Sequence, residues 1–391
     1  MQEASPSTQN ELPFSTNSLQ GNDMQEIKAV AINGKNFCFP LTGILRVTEE
    51  LLRELDKLLT NQSRKPKLQL EIIAPENAAV NLNLENIPTQ KRFKLKSGFF
   101  VSIPWEQGVL PFLVKKNQLL LSLGNLQPIF IKNSVLMIHD AQVFITPKSY
   151  EKVFAFWHKF VMQVAGKRCK RILTVSNFSK DQLVKYGIAK PEKITVIHNG
   201  CEHILKTDPD YDVLKKFGLT DKNFYVAQSH NTLYKNIFVL LKAFATEPLK
   251  NSLLVLYGSK NKHDFEKLGT FVPPNVIFTG RVTDGELVGL IKSAKATLLP
   301  STTEGFGLQP LESMQLGTPA IVAPCGALPE VCGDAALYAD AYKPEEWIAR
   351  MSELETQPAL GENLIAKGKL QAQQFTWENA AKKLLDVLHE A

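Results

Sequence analysis

Long apolar runs are missing from this 391-residue chain. A membrane-spanning helix needs about 18 unbroken apolar residues, and the nearest approach, residues 119–131, is interrupted by Gly124, Asn125 and Pro128. The first 23 positions lack both basic residues and an apolar stretch, so nothing there reads as a secretory leader. Their Ser, Asn, Gln and Thr content instead predicts a disordered tail over 1–23. Cysteines number five and form no C-x-x-C pair. Neither a disulfide framework nor a zinc site is expected, and the thiols read as incidental ones in a reducing cytoplasm. Gly and Pro, at 22 each, are too few for a collagen-like or low-complexity chain.

A hydrophobic content of 44% against 21% charged supplies a large core, and at about 150 residues per domain the length fits two domains. Short aliphatic or β-branched runs alternate with amphipathic stretches along the chain. Strands are predicted at 28–32, 68–73, 135–138, 172–175 and 194–197, then at 224–227, 253–257, 276–278, 297–299 and 320–322. Helices are predicted at 44–59, 150–166, 180–186, 236–245, 284–293, 345–355 and 377–389. Such alternation argues for an α/β protein with parallel sheets covered by helices on both faces. Two doubly wound, Rossmann-like domains are expected, 24–205 and 206–376, with the boundary in the polar segment 201–211. The C-terminal helix over 377–391 is expected to pack back on the first domain. Residues 77–133 follow no clear period.

The formal charge of +6 is unevenly spread. Residues 24–205 hold 26 Lys and Arg against 14 Asp and Glu, whereas 206–391 hold 19 against 22. Four cations lie in 91–96, four in 167–171, and Lys115 and Lys116 adjoin the apolar 119–131 run. Basic residues beside apolar ones suit an anionic membrane surface, at about 1 kcal/mol per well-placed cation; a solvated basic face is the alternative. No nucleic-acid-binding module accompanies them.

Chemistry concentrates in 296–316. An apolar strand ends at Pro300, a polar turn follows, and Glu304-Gly305-Phe306-Gly307 leads into a helix with Pro310 in its first turn. Backbone amides there would face outward from a helix N-terminus, an arrangement that favours a phosphate. Glu312 follows Glu304 with seven residues between them. Two carboxylates framing an anion-accepting turn call for a polyhydroxylated or cationic ligand.

Together with Leu41-Thr42-Gly43, His139-Asp140, Thr174-Val175-Ser176, Ile197-His198-Asn199-Gly200, Gly317-Thr318-Pro319 and Leu328-Pro329-Glu330-Val331, this segment resembles glycosyltransferase family 4. These are retaining nucleotide-sugar transferases of the GT-B fold, two Rossmann-like domains facing across a cleft. The resemblance runs from about Lys28 to Glu390, and the chain looks like the bacterial polysaccharide mannosyltransferases within the family. It implies that Glu304 and His139 act at the transferred sugar. It implies that Glu312 binds the nucleotide ribose, and that the amides at Gly305, Phe306, Gly307 and Leu308 hold sugar and diphosphate. Gly43 would leave room for the diphosphate, Lys235 would bind it, and Arg281 and Val282 would edge the base. Asp140 and Arg46 are placed on the acceptor side. Ser229 is placed with the donor-binding residues but departs from the pattern: it stands where many members carry an Arg that partners the lysine, and Gln228 replaces the preceding glycine.

The implied reaction moves a hexose from a nucleoside-diphosphate sugar to a glycan or lipid-diphosphate-linked glycan in surface polysaccharide or lipopolysaccharide synthesis. GDP-mannose is the first choice of donor, with UDP-hexose and dTDP-rhamnose as alternatives. No metal or other cofactor is expected, because amides and Lys235 can carry the leaving group's charge. A cytoplasmic enzyme, peripheral on the inner face of the membrane, is the matching location. The competing class is a non-catalytic sugar-nucleotide or glycan-binding subunit, which the Ser229 and Gln228 departures favour.

Overall fold

The computed structural model describes residues 27–40, 42–60, 66–94 and 103–391; the predicted tail, Leu41 and Lys96 lie outside them. Seven strands form the first sheet: β1 (Ile27–Asn33), β2 (Lys67–Ala74), β3 (Thr89–Lys91), β4 (Leu119–Ser122), β5 (Ser134–Met137), β6 (Arg171–Thr174) and β7 (Ile194–Val196). All pair in parallel, in the order β3-β2-β1-β4-β5-β6-β7. Six form the second: β8 (Phe224–Gln228), β9 (Leu253–Tyr257), β10 (Val276–Gly280), β11 (Thr297–Leu299), β12 (Ala320–Val322) and β13 (Leu337–Tyr338). These are also parallel, ordered β10-β9-β8-β11-β12-β13. Central strands such as β1 read as unbroken apolar runs because helices cover both faces; Val30, Ala31 and Ile32 are fully buried.

The direction of strand addition reverses between β1 and β4 in one sheet and between β8 and β11 in the other. At such a switch point the loops leaving the carboxyl ends part, and the crevice between them is where α/β sheets bind ligands. Two helices start at these crevices. α1 (Gly43–Leu59) follows β1, capped by the Thr42 hydroxyl, which accepts from the Leu45 amide at 3.4 Å. Its buried Leu45, Leu51, Leu52, Leu55 and Leu59 face the sheet. Further along the chain come α2 (Lys152–Arg168), α3 (Asn177–Lys185) and α4 (Asp284–Ser293). α5 (Leu308–Gln315) follows β11, and α6 (Leu328–Cys332) and α7 (Pro358–Ala372) come after it. The last helix, α8 (Trp377–Glu390), packs on α1, and the Lys28 ammonium donates to the His389 carbonyl at 3.2 Å.

Several quoted motifs serve the seam between the sheets. The Ser176 and Ser179 hydroxyls both donate to the Gly305 carbonyl, at 2.6 and 3.0 Å. Glu330 accepts from the Asn177 and Phe178 amides at the N-terminus of α3, at 2.9 and 3.1 Å, where the helix dipole favours a carboxylate. His198 Nε2 lies 2.9 Å from the same carboxylate.

Candidate active site

The two switch-point crevices open into one cleft of about 370 Å3. From the first sheet come Thr42, Gly43 and Ile44 after β1, His139 and Asp140 after β5, and Asn199 after β7. The second sheet contributes Gln228, Lys235 and the turn Glu304–Gln309. The N-termini of α1 and α5 therefore meet the same space, one from each domain. Each presents first-turn amides that have no acceptor within the helix, and the aligned dipoles add partial positive charge. A methyl at Gly43 would touch nothing within 4 Å. The Gly307 N-cap of α5 has φ 103°, and no side chain caps the helix.

Lys235 and Glu304 form the centre, with Nζ 2.8 Å from Oε1 and both side chains mostly shielded from solvent. Lys235 sits on the loop after β8, and its ammonium is 5.5 Å from the Tyr234 ring centre. Glu304 sits on the loop after β11, pinned where its carbonyl accepts from the Ala327 amide at 2.9 Å. Gly326 underlies that contact: with φ +64°, a methyl there would come within 2.5 Å of the Glu304 carbonyl oxygen. Gly305 is fixed from the other side, because a methyl on it would meet the Asp140 Cβ at 2.8 Å.

His139 is 6% exposed, and its Nε2 lies 2.9 Å from the Leu123 carbonyl, which can only accept. The proton is therefore on Nε2 and the Nδ1 lone pair is open. Burial lowers its pKa to about 4, against a smaller opposing effect of that hydrogen bond, so the ring is neutral at pH 7. Asp140 is pushed above the ordinary carboxylate range, first by burial and further by Glu304, with the Gln142 amide and Lys235 opposing. The histidine carries a stability consequence. Its folded pKa lies below its unfolded one, so between about pH 6.5 and 4 the unfolded chain binds more protons. Stability is present in full above 6.5 and is lost as pH falls through 4. A shift of this size is worth about 3 kcal/mol. His158, lowered to about 4 chiefly by burial, titrates in the same window with the same sign. In pH-dependent urea unfolding, His139→Asn is expected to flatten the slope between pH 6.5 and 4 without abolishing it.

Glu312 lines the cleft and is held by a relay. The Trp377 indole N–H donates to His203 Nδ1 at 3.2 Å, which leaves the proton on Nε2 facing Glu312 Oε1 at 3.1 Å. Gln309, 9% exposed, also lines the cleft, and neither polar atom of its side-chain amide has a protein partner. Asn199 Oδ1 is likewise unpartnered. Arg46 reaches across the seam to Asp284 at 2.5 Å. Four residues that bear on this site, His203, Gln309, Gly326 and Asp284, belong to none of the motifs that point to it in the sequence.

Among the expected residues, Gly43, Arg46, His139, Asp140, Lys235, Glu304, Gly305, Phe306, Gly307, Leu308 and Glu312 come together here. The Phe306 ring packs inward on Phe375 at 5.7 Å between centres, which leaves its backbone for the cleft. Three expected residues do not reach the cleft wall. Side chains alternate along β8, so Gln228 faces the cleft while Ser229 turns away and donates to the Lys260 carbonyl at 2.7 Å. Beyond the positive-φ turn at Gly280, Arg281 is exposed and Val282 packs against the Leu290 cluster. Among the described residues no group of three or more His, Cys, Asp or Glu is placed to hold a metal ion.

Comparison with known proteins bears on the family and the fold. Residues 212–371 match the family model of glycosyl transferases group 1, and residues 126–203 match that of glycosyltransferase family 4. O-antigen chain mannosyltransferase B of Escherichia coli is 27% identical over 66% of this chain and 70% of its own length. O-antigen chain mannosyltransferase RfbU of Salmonella typhimurium is 29% identical over 58% of this chain and 62% of its own, just under two thirds. The structure of Anabaena HepE in complex with UDP-glucose superposes with a TM-score of 0.70 at 14% identity, covering 93% of this chain and all of that one. The fold is GT-B.

Proposed function

We propose that this chain, which belongs to the family 4 glycosyltransferases, moves a hexose from a nucleoside-diphosphate sugar to a glycan or lipid-linked glycan hydroxyl with retention of anomeric configuration. The observation that carries this is the meeting of two helix N-termini and the Lys235–Glu304 pair in one cleft. Amides and a cation suit a diphosphate. Carboxylates and unpartnered amides at Glu304, Glu312, Gln309 and Asn199 suit hydroxyls. GDP-mannose is the first choice of donor, since both relatives named above are mannosyltransferases. UDP-hexose is the second reading, since a structural neighbour binds UDP-glucose.

In this mechanism the diphosphate replaces Glu304 as the partner of Lys235, and Glu304 is released to the sugar. The bond from the anomeric carbon to the phosphate oxygen breaks, and the acceptor oxygen bonds to that carbon on the same face. The acceptor proton passes to the leaving phosphate oxygen. Neutral His139 offers Nδ1 as an acceptor beside the reacting centre and cannot donate from Nε2, which is committed to Leu123. The amides and Lys235 stabilise the leaving diphosphate, so we propose no metal; turnover in EDTA tests that point.

His203 acts as a positioning residue for Glu312. His203→Phe is expected to raise the donor KM roughly tenfold, the worth of one hydrogen bond to a charged group, with a smaller change in kcat. An unchanged donor KM would separate Glu312 from the ribose. The donor itself is tested by a thermal-shift screen of GDP-mannose, UDP-hexoses and dTDP-rhamnose. A rise in Tm with GDP-mannose alone supports the first reading, and a rise with UDP-hexose the second. No shift with any of them favours a role that does not use sugar nucleotides.

Peripheral membrane attachment belongs to the same reading. Val153, Phe156 and Phe160 form one exposed face of α2, flanked by Lys152 and Lys159, and Phe112 and Phe130 are also exposed. Among the described residues no helix is long and apolar enough to cross a membrane. Binding to liposomes containing phosphatidylglycerol at low salt is expected, with loss in Phe156→Glu. Equal recovery of both proteins in the supernatant would remove the proposal.

A further inference from the structure

Gln309 stands in the first turn of α5, 9% exposed and lining the cleft, and neither its Oε1 nor its Nε2 has a hydrogen-bond partner among the described residues. A buried amide gives up its bonds to water, so leaving donor and acceptor unmade is costly. An apolar side chain of similar shape would fill the same space without that cost. A glutamine here is therefore explained by a ligand group that completes its bonds. Its neighbour on the helix is Glu312: three residues apart, the two side chains lie on one face of α5. The carboxylate of Glu312, held at Oε1 by His203 at 3.1 Å, only accepts. The amide of Gln309 both donates and accepts. Side by side, the two call for groups that donate and accept at once, which are hydroxyls, and for more than one of them.

We infer that Gln309 is a specificity-determining residue: beside Glu312 it reads the ribose diol of the donor nucleotide, so that ribonucleotide donors are preferred over 2′-deoxyribonucleotide ones. The inference rests on the donor reading above. A nucleoside-diphosphate sugar carries two polyols, one at each end of its diphosphate. The amides at the N-terminus of α5 set the place of the diphosphate. Glu304, which precedes that N-terminus and pairs with Lys235 at 2.8 Å, faces the hexose. Gln309 and Glu312 follow it along the helix and are left with the ribose. Each ribose hydroxyl can donate to an oxygen of this pair and accept from Gln309 Nε2, which satisfies both ends of the amide. A 2′-deoxyribose brings one hydroxyl where two are called for, and a site of buried hydrogen-bonding groups discriminates most sharply against a ligand that lacks their partner. This favours GDP- and UDP-sugars over dTDP-rhamnose. Asn199, whose Oδ1 is also unpartnered, lines the cleft from the first domain. A direct bond from the Gln309 amide to that oxygen is the rival account, and it predicts the opposite change in stability.

Isothermal titration calorimetry of the full chain with GDP, UDP and the 2′-deoxy form of each, in wild type and Gln309→Met, tests the inference. Wild type is expected to bind GDP or UDP about tenfold or more tightly than its 2′-deoxy form. In Gln309→Met the ribonucleotide is expected to bind about tenfold more weakly and the deoxy form nearly as before, so that most of the preference is lost. The Tm of Gln309→Met without nucleotide is expected to equal or exceed that of wild type, because the substitution removes a buried amide that no protein group satisfies. A glutamine that served only the fold would lower Tm when replaced and would leave the preference alone. An unchanged ratio of ribonucleotide to deoxyribonucleotide affinity overturns the inference, and a lowered Tm beside it assigns the amide to Asn199. That outcome leaves the donor reading standing, since the nucleotide still binds. Binding of neither GDP nor UDP by wild type sinks the donor reading and the inference with it.

Discussion

Glu304→Gln is expected to lose about 10²- to 10³-fold in turnover, the scale set by removing a single preorganised charge from a transition-state site. The substitution keeps shape and removes the charge that faces Lys235 at 2.8 Å. Both side chains are partly reached by solvent, 12% and 20% exposed, so the stability cost should stay near 1 kcal/mol. A large loss of kcat with a nearly unchanged Tm is therefore the signature. A variant turning over at near wild-type rate would remove Glu304 from the chemistry and leave it as Lys235's counter-ion.

Gly326→Ala is expected to damage the same carboxylate from behind. Alanine at φ +64° costs about 1 kcal/mol in backbone strain. The added methyl would also overlap the Glu304 peptide, an overpacking cost of about 1–3 kcal/mol more. The combined effect lowers Tm by roughly 5–10 °C. At a temperature where the variant is still folded, turnover should fall about 10²-fold, since displacement of Glu304 by about 1 Å is enough to misalign it. Differential scanning calorimetry and initial rates at 15–20 °C, about the range where folded-state stability peaks, separate the two effects. Wild-type activity with lowered Tm would mean that the turn relaxes away from Glu304 rather than through it.

Much of this arrangement was legible in the sequence because strands buried on both faces announce themselves as aliphatic runs. Every predicted strand is present within two residues at either end. β3 was not legible because all three of its residues, Thr89 to Lys91, are exposed on a sheet edge. β4 lay inside the 119–131 run, where Gly124 and Pro128 obscured its four buried residues. α7 escaped because only Leu364, Gly368 and Ala372 are buried, too thin a stripe to register. In the site, the turn at 304–312 carried its own local signal. His203 and Gly326 did not, since their meaning depends on Glu312 and Glu304, neighbours only after folding. Ser229 was misplaced for a different reason: which side of a strand faces the cleft is set by its register in the sheet.

The central claim is that the cleft cleaves a sugar from a nucleoside diphosphate and passes it on with its anomeric configuration kept. Its most direct test follows GDP-mannose with a methyl pyranoside of mannose, glucose, galactose or N-acetylglucosamine as acceptor, by proton and phosphorus NMR in one tube. The account predicts GDP release matched by a new α-linked anomeric signal, both absent with Glu304→Gln. A β-linked product would contradict retention, and no nucleoside diphosphate released from GDP-mannose, UDP-hexose or dTDP-rhamnose would contradict the account as a whole.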